Sequence, residues 1–340
     1  MAIVNSTAIA PAAILLTPQT SPRLCAYQLV FERCKELVKH EAGTRSNEDI
    51  EALHDMRVAS RRLREALEIF QFCFPPKIYV RLYERVRRIT RALGQARDAD
   101  VAVDYFAKIL GDCHDLIEQV ALQDILRRLA RQQARRRAEM QTTLDKVRPA
   151  QLLARFKKIF DNDMPVSLSR QRGPRTALQL ARRLLAPRLR EVFACRRLIK
   201  GEDDADGLHN LRIAVKKLRY ALETLDFAAG AQVKENLKFF KKLQTVLGDL
   251  HDRDVFLEMT QKRLAKLQKQ SFSDHLLNGY RPILAKIAIQ RQDFYIDYVK
   301  LFGQAKIQAW RPRVVPSPPT TRKSPVSLLL PQPVFSEAAA

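Results

Sequence analysis

The sequence is short of glycine, with ten in 340 residues, short of tryptophan, with one, and short of negative charge. Each shortage excludes something. Scarce glycine and rare β-branched alternation are the punctuation of an all-helical chain rather than a turn-rich β fold. The single tryptophan, Trp310, sits at the edge of a Pro-rich tail. No row of aromatics is left on which bases would stack. The five cysteines are odd in number and widely spaced, without a C-x-x-C pair or zinc-finger spacing. They read as small, mostly buried apolar residues in a reduced compartment, the cytoplasm. The sequence holds no G-x-x-x-x-G-K-[ST], H-E-x-x-H, G-x-S-x-G or G-x-G-x-x-G. No carboxylate pair carries the features of acid–base work. The expectation is a protein that is not an enzyme and holds no metal or cofactor.

What is present is positive charge and apolar periodicity. Sixty Lys+Arg stand against 37 Asp+Glu, a formal charge of +23. Such an excess favours anionic partners: nucleic acid, an acidic membrane surface or a polyanionic polymer. The chain is 46% hydrophobic, enough for a sizeable core. Helical spacing predicts segments at about 21–42, 49–72, 77–95, 98–110, 115–147, 174–200, 206–228, 232–247, 252–269 and 272–301. Pro75-Pro76 separates the second from the third. The apolar amino terminus, MAIVNSTAIAPAAILL, lacks a positive signal-peptide segment and is too short to span a membrane. Residues 1–20 are expected to be a disordered leader, and 304–340 a disordered Pro-rich tail. A polar stretch at 163–173 reads as the linker between two halves, 21–162 and 174–303.

The halves repeat each other. HDMRVASRRLREALEIF at 54–70 answers to HNLRIAVKKLRYALETL at 209–225. ALGQARDADV at 92–101 answers to VLGDLHDRDV at 246–255, and CKELVKHE at 34–41 to CRRLIKGE at 195–202. Three blocks in one order at a near-constant offset indicate an internal duplication, with a period too long for a solenoid. Two pseudo-symmetric helical bundles fit it.

On a helical wheel His54, Arg57, Arg61 and Arg64 share one narrow arc, opposite Met56, Ala59, Leu63, Ala66, Leu67 and Phe70. In the second copy His209, Arg212, Lys216 and Arg219 do the same. Arg62 and Lys217 stay off these stripes. The next helix lines up Arg81, Arg85, Arg88 and Arg91, and the second half offers Lys234, Lys238 and Lys241 with Lys242 at the edge. A charged helix face is usually just solvated, and mixed charges support it through i,i+4 pairs. These stripes are largely of one sign, so neighbouring cations repel. An external polyanion explains them better than a wet face does.

His54 and His209 read either as first-turn histidines bonded within the fold or as phosphate donors. As donors they would bind more tightly as pH falls through about 6.5. Asp98 and Asp252 are expected to cap a helix start or to orient the stripe arginines, and Arg97 and His251 to join the anion site from a loop. His114 reads as a surface histidine.

H-x-x-R-V-x-x-R-R-L-R, then L-G-x-x-R-D-x-D-V, then a second H-x-L-R-I-x-x-K-K-L-R-Y together resemble the CHAD domain, the conserved histidine α-helical domain. The resemblance covers roughly residues 20–300. It implies two antiparallel four-helix bundles about a pseudo-two-fold axis, with long helices and a central basic cavity or pore that binds inorganic polyphosphate. It also implies association with polyphosphate granules, or fusion to a triphosphatase domain. No segment here has the length for that domain, and its E-x-E-x-K signature is missing. Polyphosphate suits the stripes: arginine grips phosphate oxygens with a planar fork, and lysine offers a point charge. Nucleic acid is the less favoured partner, and a scaffolding role beside a polyphosphate-metabolising enzyme is a third reading.

Overall fold

The computed structural model describes residues 15–46, 50–160, 173–229, 232–270 and 274–303. Those residues form helices and connections, with no strand among them. The first half is built on α1 (Pro22–Lys39), α3 (Ile50–Ile69), α4 (Pro76–Gly111) and α5 (Leu116–Val147). The second is built on α7 (Ala177–Leu198), α8 (Ala205–Thr224), α10 (Gln232–Lys269) and α11 (Asp274–Phe302). Short helices α2 (Glu41–Ser46), α6 (Pro149–Lys158) and α9 (Asp226–Ala229) fill the connections. In the first half α1 packs on α3, α3 on α4 and α4 on α5. In the second, α7 packs on α8, α8 on α10 and α10 on α11. The halves meet where α3 lies against α8 and α5 against α11. The expected leader up to residue 14, the linker at 163–172 and the tail at 304–340 lie outside the described residues.

Local signals set the helix ends. The Ser21 side chain accepts the Leu24 N–H and Pro22 opens the first turn of α1. Asp115 accepts the Glu118 N–H at 2.7 Å to start α5, and Asp204 accepts the Gly207 N–H at 2.9 Å to start α8. Arg148, at φ 52°, ends α5 in the left-handed region, and Pro149 starts α6 at once. Apolar periodicity alone does not set α6 apart from its surroundings.

Two expected breaks are not there. Segments 77–95 and 98–110 are one 36-residue helix, α4. Segments 232–247 and 252–269 are one 38-residue helix, α10. Gly94 and Gly248 lie within them. A single interior glycine costs a helix only about 1 kcal/mol, which packing on both sides outweighs. Asp98 and Asp252 therefore sit mid-helix and cap nothing, and Arg97 and His251 project from helices rather than from a loop.

The apolar arc expected for α3 is buried throughout: Met56, Ala59, Leu63, Ala66, Leu67 and Phe70 are all at or below 1% exposure. It belongs to a core that runs through both halves. A second, smaller core holds the far ends of the long hairpins, with Phe106, Phe256, Tyr280 and Ile283 at its centre. There Asp124 of α5 accepts from Arg263 of α10 at 2.8 and 3.0 Å and from the Tyr280 hydroxyl of α11 at 2.7 Å. Gly279 lets α11 cross α5 closely, since a Cβ there would lie 2.3 Å from the Ile117 carbonyl oxygen. Four of the five cysteines are buried and all are free thiols. Among the described residues no helix is long and apolar enough to cross a membrane.

Candidate functional site

The α3–α8 junction sorts its cations into two kinds. Those off the basic stripes pair with carboxylates, within each half or across the junction. Arg62 pairs with Glu36 at 3.4 Å and reaches Glu223 of α8 at 3.8 Å. Lys217 pairs with Glu191 at 3.5 Å. Arg188 of α7 forms a buried ion pair with Glu65 and donates to the Lys217 carbonyl at 2.7 Å. Arg62–Glu36 ties α3 to α1 and Lys217–Glu191 ties α8 to α7, so the exclusion of Arg62 and Lys217 from the stripes has a structural reason.

The stripe cations are left over. Arg57, largely buried, donates to the exposed Asp98 at 3.2 Å. Arg61, Arg64, Arg212 and Lys216 form no ion pair among the described residues. All four are half-buried. Burial lowers the Lys216 ammonium to about 8, with Arg212, Arg61, Arg64 and Arg57 pushing the same way. Burial likewise brings Arg61 down to about 10, against a small opposing pull from Tyr220 and with help from Arg57, Arg219 and Arg212. Arg212 is lowered too, chiefly by burial, while Asp252 opposes the shift. The stripes of α3 and α8 thus meet in one crowded cationic seam.

Asp252 answers to Asp98 on the α10 side of the seam. Burial pushes its carboxyl up to about 6, and Arg212 pulls it back. The second aspartate of each motif does something else. Asp100, fully buried, accepts from Gln133 at 2.8 Å and Arg137 at 3.0 Å of α5. Asp254 accepts from Arg291 of α11 at 2.5 Å. In D-x-D, then, the first aspartate faces the seam and the second pins each long helix to its partner.

The histidines enter as pairs. His209 and His251 bring their Nδ1 atoms to 3.4 Å, with ring centroids 4.6 Å apart. Burial, then Arg212, His209 and Lys216, take His251 down to about 4. Burial, then Arg212 and Lys216, lower His209. At the equivalent place His54 stands beside Arg97, and burial followed by that arginine lowers it. All three are lowered from the ordinary histidine value of 6.5, by burial first and by neighbouring cations second. His114 is exposed.

Several expected site residues lie elsewhere or are already engaged. Arg219 is buried, pairs with Glu223 and donates to Gln244 at 2.7 Å. It is a wall of the seam rather than an open cation. Arg85, Arg88 and Arg91 line a separate depression against α5, and Arg81 is exposed at the start of that stripe. Lys238, Lys241 and Lys242 are exposed on α10, and the Lys234 side chain lies outside the described residues. Aligned on the shared Leu-Gly, Lys241 and Lys242 answer to Arg87 and Arg88, so the two stripes do not superpose.

Tyr220 escaped the sequence reading. Its ring lies under Arg219 at 4.2 Å and Arg61 at 5.9 Å, linking α8 to α3. Its buried hydroxyl and the buried Arg61 Nε have no hydrogen-bond partner among the described residues. The signal was a mismatch between the copies: the first has Glu65 at that place, where it meets Arg188.

Fold and site define an all-helical scaffold with a cationic seam between two halves. The family model described as the CHAD domain matches residues 28–261, and the chain belongs to that family. Two uncharacterized Mycobacterium tuberculosis proteins, MT2285 and Rv2226, are each 26% identical over 233 residues. That is 68% of this chain and 44% of theirs, so the chain spans less than half the length of these relatives. Among solved structures, the CHAD domain from the plant Ricinus communis matches with a TM-score of 0.64 and 23% identity, over 85% of this chain and 94% of that one. PptA from Streptomyces chartreusis matches with a TM-score of 0.63 and 12% identity, over 83% and 99%. Both likenesses are of fold.

Proposed function

We propose that the chain binds inorganic polyphosphate, or a closely similar linear polyanion, in the α3–α8 seam without catalysing a reaction on it. One observation carries this reading. Lys216 is held half-buried among Arg57, Arg61, Arg64 and Arg212 with no ion pair among the described residues, and burial first, then those cations, lowers it to about 8. Such crowding costs the free protein stability, and a bound polyanion removes the cost. The unpartnered Arg61 Nε and Tyr220 hydroxyl add buried donors that a phosphate oxygen would satisfy. Arg57 to Arg64 spans about 10 Å along α3 at 1.5 Å per residue, a narrow track suited to a flexible chain. Association with polyphosphate granules and a scaffolding role belong to the same proposal. Affinities for long-chain polyphosphate, ATP, pyrophosphate and short duplex DNA at two salt concentrations test it. Long-chain polyphosphate is expected to rank first at both. Duplex DNA displacing it at physiological salt would favour the nucleic-acid reading instead.

The sign of the pH response follows from the seam. Lys216 is about 8 when free, and a bound polyanion raises it, so binding takes up a proton above pH 8. Affinity is expected to fall as pH rises from 8 to 10, and Lys216→Arg is expected to remove the part of that fall near pH 8, leaving the part that Arg61 contributes toward pH 10. His209 and His251, lowered when free and raised by a bound polyanion, give a second gain in affinity on the acid side. Titrations from pH 5 to 10 on wild type and Lys216→Arg check both windows. An identical alkaline profile in the two proteins would remove Lys216 from the site.

A further inference from the structure

The basic stripe of α4 does not open onto the seam. Arg85, Arg88 and Arg91 line a depression of about 370 Å³ between α4 and α5, with Lys146 of α5 on its far side. After burial, neighbouring arginines, Arg155 of α6 first and then Arg88 and Arg81 of α4, lower Arg85. None of the four lining cations, Arg85, Arg88, Arg91 and Lys146, forms an ion pair among the described residues. The carboxylate on the rim, Glu139, is occupied by Arg135 at 2.9 Å and Arg136 at 2.7 Å. Ala92 and Val147, both buried, form an apolar floor. Two helices, α4 and α5, thus line one concave space with unpaired cations, away from the α3–α8 junction.

We propose that this depression is a second, independent anion site that takes a compact oligophosphate of a few phosphate groups. Its concavity disfavours a flat anionic surface, which would meet only the rim. Arg85 to Arg91 spans about 9 Å along α4, at 1.5 Å per residue, a length that suits a few phosphate groups rather than a long polymer. Arginine forks suit clustered phosphate oxygens. This inference stands on the α4–α5 geometry alone and survives if the seam binds nothing.

Sodium tripolyphosphate, titrated by calorimetry, is the probe. Wild type is expected to bind two equivalents. Arg85→Glu/Arg88→Glu is expected to lose one, and Arg61→Glu/Lys216→Glu to lose the other. One wild-type equivalent, lost only in Arg85→Glu/Arg88→Glu, would sustain this site and remove the seam. A stoichiometry unchanged by Arg85→Glu/Arg88→Glu, or a single equivalent lost in both double variants, would overturn it. The neutral pair Arg85→Gln/Arg88→Gln, with its thermal unfolding measured alongside, guards against misfolding and is expected to weaken the site at least tenfold.

Discussion

Arg61→Glu/Lys216→Glu is expected to weaken long-chain polyphosphate binding by about 10²- to 10⁴-fold. Each side chain offers a charge-assisted hydrogen bond of roughly 1.5–3 kcal/mol, so losing two removes about 3–6 kcal/mol, at 1.4 kcal/mol per tenfold. The salt dependence is expected to flatten as well, by roughly 0.7 in the log–log slope for each phosphate no longer neutralised. The free protein should be no less stable for the change. Lys216 goes from an ordinary 10.5 to about 8 on folding, so between those values the unfolded chain binds more protons and stability rises with pH. Lys216→Met removes that cost and is expected to stabilise the free protein by about 1–3 kcal/mol at pH 7. At roughly 2–4 °C per kcal/mol for a domain of this size, the unfolding midpoint rises by several degrees. A site whose removal stabilises the fold while abolishing binding is shaped by its ligand. Lys262→Glu, on an exposed lysine in the far hairpin, serves as control and is expected to change affinity less than threefold. Equal losses in control and double variant would reduce the seam to bulk charge.

Asp100→Ala is expected to cost about 3–5 kcal/mol of stability, while Asp98→Ala, two residues away, costs less than about 0.5 kcal/mol. Asp100 is wholly buried and holds Gln133 and Arg137. Removing it leaves a largely buried guanidinium without its counter-charge, the costly way to break a buried pair. The midpoint should drop by roughly 6–20 °C at the same conversion. Asp98 is 70% exposed, and its pair with Arg57 is screened by solvent. Thermal unfolding of the two variants separates the roles, and matching midpoints would contradict the assignment of one aspartate to the seam and the other to the α4–α5 hairpin.

Much of this is legible in the sequence itself. Apolar spacing locates the buried arc of α3, because burial on one side is what a 3.6-residue period encodes. The wheel also separates Arg62 and Lys217 from the stripes, and both have carboxylate partners across helices. Other features depend on packing that the sequence does not display. Gly94 and Gly248 look like breaks, yet packing carries the helices through them. Arg219 lies on the stripe by angle, but Glu223 one turn on and Gln244 on α10 claim it. The α4 stripe has the right charge and spacing, and only the placement of α5 shows that it opens elsewhere. Tyr220 marks the limit of reading by similarity: its position is visible only as a departure from the repeat.

The central claim is that phosphates occupy the α3–α8 seam, and lysine footprinting tests it most directly. Its low affinity for protons makes Lys216 an unusually nucleophilic amine at pH 8. Acylation rates for each lysine, measured by mass spectrometry with and without long-chain polyphosphate, should show Lys216 reacting readily in the free protein and strongly protected in the complex. Lys262, far along α10, should be unaffected. Lys216 labelled at the same rate in both states, while other lysines become protected, would contradict the account.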